Sequence, residues 1–122
     1  MAVTHSTTTR TSLANAVLDD IDVDVGAGNL EFQTAGAAEV ATLALSDPAG
    51  SVSGAVLTFS AISDDTNATG GTVAQFEIQA NLGGAVVLGN VLTSGGDINL
   101  SSLVVGVGDT VSMSALTYTA AP

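Results

Sequence analysis

From Leu30 to Tyr118 the chain is written in short runs of alternating side chains, and this constrains its fold more than any other feature. Leu30 and Phe32 alternate with Glu31 and Gln33, Leu43 and Leu45 with Thr42 and Ala44, and Phe76, Ile78 and Ala80 with Gln75, Glu77 and Gln79. Successive side chains of a strand point to opposite faces, so a period of two describes strands with one buried and one wet face. Between the runs lie Ser46-Asp47-Pro48-Ala49-Gly50, Asp64-Asp65-Thr66-Asn67 leading to Gly70-Gly71, Asn81-Leu82-Gly83-Gly84 and Ser94-Gly95-Gly96-Asp97. Each supplies residues that adopt positive φ or bond to their own backbone, as turns require. About seven or eight strands so punctuated give a mainly β fold: a single antiparallel β-sandwich, a jelly-roll-like domain or a closed barrel.

Ahead of the strands the spacing is different. Leu13, Val17 and Ile21 recur every four residues with Leu18 beside them, Ser12 or Thr11 is placed to cap, and Gly26 closes the segment. This predicts a short amphipathic helix over about 12–22. Residues 1–12 are rich in Thr and Ser without apolar periodicity, so they read as an extended N-terminal arm, and residues 13–122 as one β-rich domain. Too apolar-poor to fold alone, such an arm is expected to order on a neighbouring chain, with Thr7, Thr8 and Arg10 offering the contacts.

Two segments break the inside-outside pattern. Ala85-Val86-Val87-Leu88 and Leu103-Val104-Val105 are apolar on both faces, which makes Val86, Leu88, Val104 and Val105 candidates for contact with a neighbouring subunit. The core itself is thin: 46% of the chain is hydrophobic, but much of that is Ala and Val, and the aromatics are Phe32, Phe59, Phe76 and Tyr118. Alanine contributes little burial energy beside a large side chain. Association into a homo-oligomer, such as a trimer, is the expected supplement.

The chemistry available is narrow. The sequence has no Lys, Cys or Trp, and its one Arg (Arg10) and one His (His5) both fall in the first ten positions. Acid-base catalysis near neutral pH and oxyanion stabilisation draw on His, Lys, Arg or metal ions, so the residues argue against an enzyme and call for no cofactor. No Gly-x-Ser-x-Gly elbow accompanies His5 and Ser6, and the Gly106-Val107-Gly108 run leads into Asp109, which would repel a phosphate. A net charge of −11 with one cationic side chain excludes nucleic acid, whose phosphates are bound by Lys and Arg, and disfavours an anionic membrane surface. No secretory signal and no apolar run of transmembrane length is read in the sequence.

The sharpest local pattern is Asp20-Ile21-Asp22-Val23-Asp24-Val25-Gly26, followed by Glu31. Carboxylates at Asp20, Asp22, Asp24 and Glu31 reproduce positions 1, 3, 5 and 12 of an EF-hand calcium loop. Val25, however, takes the place of the glycine, and strand rather than helix periodicity follows Glu31. A solvated acidic face is the favoured reading, and a calcium site, as in a calcium-dependent carbohydrate-binding sandwich, is the alternative. Asp64-Asp65 reads in the same way as the Asx-turn residues of a hairpin loop.

Taken in order, Leu13-Ala-Asn-Ala-Val-Leu-Asp19, Gly28-Asn-Leu-Glu-Phe-Gln-Thr34, Ala41-Thr-Leu-Ala-Leu-Ser-Asp-Pro48, Gly71-Thr-Val-Ala-Gln-Phe76 and Thr93-Ser-Gly-Gly-Asp-Ile-Asn-Leu100 resemble small virion proteins encoded among the head and tail genes of tailed bacteriophages. The likeness spans most of the chain and is one of pattern and turn phrases, so it carries over no functional residues. It implies an all-β protein made in the host cytoplasm and resident in the virion. The expected role is a capsid decoration or cement protein bound to the major capsid protein and to copies of itself; a tail, neck or fibre component is the alternative.

Overall fold

A computed structural model describes residues 3–121. The chain is mainly β, with one short helix at the N-terminal side. That helix, α1, runs Thr7–Ile21 and so begins about five residues before the start expected from its apolar spacing. Ser6 is the N-cap, its Oγ accepting the Thr9 N–H at 3.2 Å. Tertiary bonds hold the first turns in place of apolar contacts: the Arg10 guanidinium donates to the Ala121 and Ala120 carbonyls at 3.2 and 3.0 Å, and the Thr11 hydroxyl donates to the Gly54 carbonyl. The run of Thr is a weak helix former, and these bonds override that propensity. The extended arm of residues 1–12 is therefore corrected. Thr7 to Ser12 belong to the helix, Val3 to Ser6 precede it, and Met1 and Ala2 lie outside the described residues, as does Pro122 at the other end.

The helix buries Ala14 and Ile21 completely and half-buries Val17 and Leu18, while Leu13 turns outward. Asp22 closes it with a backbone bond to the Leu18 carbonyl, and Gly26 at φ +102° redirects the chain.

Strand β1 (Asn29–Gln33) lies between β2 (Glu39–Ala44) and β6 (Gln75–Gln79), antiparallel to both, with Phe32 opposite Ala41 on one side and Phe76 on the other. β7 (Ala85–Leu92) continues this sheet antiparallel to β6 with a bulge beside Val86, and the two-residue β8 (Ile98–Asn99) completes it. β8 pairs with Val91 and Leu92 in parallel, so the expectation of a wholly antiparallel fold fails at this pair. The reason is local. The bonds between Asn90 and Asp97 hold the intervening loop against the strand, and β8 leaves it in the direction of β7.

A second sheet joins β3 (Gly50–Ser53), β4 (Val56–Phe59) and β10 (Thr117–Thr119) in the order β10-β4-β3; β5 (Gly71–Thr72) and β9 (Val104–Val105) make a third. One apolar cluster draws on the three sheets and α1: Ile21, Leu30, Phe32, Leu43, Leu57, Phe59, Phe76, Ile78, Val91 and Val105 all belong to it. A second, made of Ala14, Ala55 and Ala120, seats the helix against the ends of β4 and β10. Among the described residues no buried side-chain nitrogen or oxygen lacks a partner, and no helix is long and apolar enough to cross a membrane.

Candidate interaction surface

Because Leu30, Phe32, Phe76 and Ile78 face inward, the intervening residues of β1 and β6 face outward. The face of the large sheet opposite the core thus carries a panel of Glu31, Gln33, Gln75, Glu77 and Gln79, with Gln33 buried and the other four half-buried. Glu31 stands directly opposite Glu77 across the strand pair. Like charges so placed are destabilising, and amides occupy every carboxylate oxygen of the two. Gln33 Nε2 donates to Glu31 Oε1 at 2.9 Å and to Glu77 Oε2 at 3.2 Å, while Gln79 Nε2 donates to Glu77 Oε1 at 3.0 Å and to Glu31 Oε2 at 3.3 Å. Gln75 in turn donates to Gln33 Oε1 at 2.8 Å. Both carboxylates and the Gln33 carbonyl oxygen are thereby bonded within the panel.

The acidic run is distributed among structural bonds. Asp20 is exposed on α1, while the Asp22 carboxylate accepts the Ala49 N–H at 3.1 and 3.2 Å. The Asp24 carboxylate accepts the Leu82 N–H at 3.0 Å, and Glu31 belongs to the panel just described. Among the described residues no three His, Cys, Asp or Glu side chains form a group able to hold a metal ion, so the calcium candidates Asp20, Asp22, Asp24 and Glu31 do not make a loop. Strand β1 carries Glu31 away, and Val25 in place of the glycine prevents the sharp turn the loop needs. Asp65 has the same structural use, accepting the Thr42 and Asn67 N–H groups at 2.9 Å each.

Burial raises the pKa of Asp22 above its ordinary value, and Asp47 and Asp19 push it further, against the lowering effect of the Ala49 N–H. A carboxyl with a raised folded-state pKa contributes stability below its unfolded value and loses it as pH rises through the folded value. Asp22→Asn, which keeps an acceptor and removes the charge, is expected to match or exceed the wild-type melting temperature at pH 7 and to flatten its pH dependence on the acid side. Asp22→Ala leaves the buried Ala49 N–H without a partner and is expected to cost about 1–3 kcal/mol. Thermal melts at pH 4 and pH 7, with and without millimolar Ca²⁺, check both; the losses are expected to be independent of Ca²⁺.

Those same bonds hold a set of apolar side chains in the open. Asp24 pins the β6–β7 turn through Leu82, and Asn81 Nδ2 reaches back to the Ala27 carbonyl at 2.9 Å. The segment after α1 and the β6–β7 turn are thereby locked together at one end of the molecule. They hold Val23, Val25 and Leu82 outward at 69%, 99% and 82% exposure. A shallow depression of about 440 Å³ lies beside them, with Ala80, Ala85 and Val86 in its lining and Asp20 and Asp24 at its acidic edge. The spacing arguments missed this end because Val25 and Leu82 sit inside turn phrases. An apolar residue between Asn81 and Gly83, where polar residues are usual, was the available signal.

The other interface candidates fall into two groups. Leu88 is 65% exposed on the outer face of β7, opposite Glu77, with Val86 half-buried at the bulge. Among the described residues no strand pairs with the outer side of β7 before Val91. Val104 is 72% exposed, and Thr7 and Thr8 are exposed on the first turn of α1. Val105 is corrected: a strand must send alternate residues inward, and Val105 joins the core as Val104 points out. Arg10 is half-buried, and its guanidinium donates to this chain's own Ala120 and Ala121 carbonyls. No protein-family model matches the chain, and neither the curated proteins nor the solved structures searched include a significant match.

Proposed function

We propose that the chain is a non-enzymatic structural protein of a tailed-phage virion, a decoration or cement protein that binds the major capsid protein at subunit junctions and strengthens the shell. The observation that carries this reading is the pinned apolar end, Val23, Val25 and Leu82. Three large aliphatic side chains held outward on a hydrogen-bonded scaffold are costly in water and repay that cost when a partner covers them. Being held in place, they lose little conformational freedom on binding. The resemblance to head and tail proteins supplies the biological setting: synthesis in the host cytoplasm and residence on the capsid surface.

In this reading the two larger sheets are the layers of a sandwich, and copies of the chain associate along β7, where the exposed Leu88 is the contact residue. The single Arg and the absence of Lys support a protein partner over nucleic acid or an anionic membrane.

Purified protein added to undecorated capsids of a phage that carries this sequence is expected to bind saturably, in hundreds of copies per particle, and to raise the temperature at which the shells disrupt. A handful of copies per virion reassigns the protein to tail, neck or fibre. Absence of binding together with an unchanged disruption temperature overturns the proposal.

A further inference from the structure

We infer that the apolar end formed by Val23, Val25 and Leu82 docks into an apolar socket fringed with Lys or Arg on a partner protein. This rests on the functional reading above and adds the chemistry of the surface that is bound. Around the three aliphatic side chains every ionisable group nearby is acidic. Asp19 and Asp20 are exposed on the last turn of α1, Asp20 and Asp24 line the same depression as Val23 and Leu82, and Asp24 is half-buried between Val23 and Val25. An aliphatic tip with an all-acidic surround complements a socket of opposite composition: apolar at the centre to cover the tip, cationic at the margin to meet the carboxylates.

The same charges select among occupants. A second copy of this chain is a poor source of cations: it has no Lys and a single Arg, Arg10, two of whose N–H groups already donate to the Ala120 and Ala121 carbonyls. Arg10 also lies ten residues up the helix from Asp20, about 15 Å at 1.5 Å per residue. Two tips brought together would set acid against acid. An anionic bilayer repels the surround for the same reason. A basic-fringed protein surface satisfies both halves of the tip, and exposed rim charges act mainly through steering and are screened by salt.

The test uses full-length protein and the undecorated capsids named above, with affinity measured at about 50 mM and 500 mM salt. Two variants alter exposed residues and leave the pinning bonds of Asp24, Asn81 and Asp22 in place. Val25→Glu/Leu82→Glu removes the apolar centre and is expected to weaken binding at least tenfold at both salt concentrations. Asp19→Lys/Asp20→Lys reverses the margin, with an expected tenfold or greater loss at low salt that shrinks towards wild type at high salt. Unaltered wild-type melting temperatures in the free variants establish that they fold.

If wild type binds capsids and either variant binds as well as wild type at 50 mM salt, the docking inference is overturned while the virion reading stands. Wild-type affinity that rises with salt overturns it too. Failure of wild type to bind at all overturns the reading and the inference together. Sedimentation of wild type, but not of Val25→Glu/Leu82→Glu, with phosphatidylcholine vesicles would assign the tip to a lipid surface and overturn the protein socket.

Discussion

Gln33→Glu is expected to unfold the protein at neutral pH and to be tolerated only in acid. Gln33 is 3% exposed, and its amide nitrogen is shared between Glu31 and Glu77, two carboxylates set directly opposite each other on β1 and β6. The substitution removes that donor and places a third carboxylate between the first two. A buried charge left without compensation costs about 3–5 kcal/mol, a large share of the roughly 5–15 kcal/mol by which domains are stable. Burial and like charge both raise the pKa of the new carboxyl. Stability is therefore present while it is protonated, below the ordinary Glu value of about 4.3, and is lost as pH rises through its folded-state value. Gln33→Met, similar in shape and uncharged, separates loss of the donor from gain of the charge and is expected to show a smaller deficit at pH 7.5. Urea unfolding at pH 4 and pH 7.5 reads the difference, and equal midpoints for Gln33→Glu and wild type at pH 7.5 would contradict the role given to the panel.

Phe32→Ala, one residue away on the opposite face, is expected to lower stability by about 3–5 kcal/mol at any pH. Phe32 is fully buried at the centre of the large sheet, between Ala41 of β2 and Phe76 of β6. Few large residues are available to close the resulting cavity, since the chain has three Phe, one Tyr and no Trp. For a domain of this size the loss corresponds to a fall in melting temperature of about 10 °C or more. Calorimetry of Phe32→Ala beside Leu82→Ala makes the comparison sharp, because Leu82 is 82% exposed and its removal is expected to leave the transition nearly unmoved. A small effect of Phe32→Ala would mean that the core is looser than its burial implies.

The contrast between these neighbouring residues shows what the alternation made readable. Period two placed Leu30, Phe32, Phe76 and Ile78 inside and located β1 and β6 closely, because a buried face leaves a direct imprint on composition, but it put Gln33 on the wet side, where the structure buries it. It was silent wherever a bond across the fold decided the structure. α1 starts at Thr7 because Ser6 caps it and the distant Ala120 and Ala121 carbonyls hold Arg10, neither of which has a periodicity. β8 runs parallel to β7 because Asn90 and Asp97 bond to each other. The run from Asp20 to Glu31 resembled a metal loop in spacing alone. The side chains of Asp22 and Asp24 were already required by the backbone of Ala49 and Leu82, 27 and 58 residues away. The apolar tip those bonds create was present in the sequence as Val25 and Leu82, but nothing local tied the two residues together.

The link between Arg10 and the Ala120 and Ala121 carbonyls also bears on the order in which the molecule can be assembled. It joins residues 110 and 111 positions apart, and Ala14 rests on Ala120 in the same corner. During synthesis at about 5–20 residues per second, the first half of the helix waits for several seconds before the strand that secures it has been made. A short Thr-rich helix has little independent stability in that interval. The earliest residues out are thus among the last to settle, and a nascent chain interrupted before residue 120 carries an unlatched helix, however complete its large sheet has become.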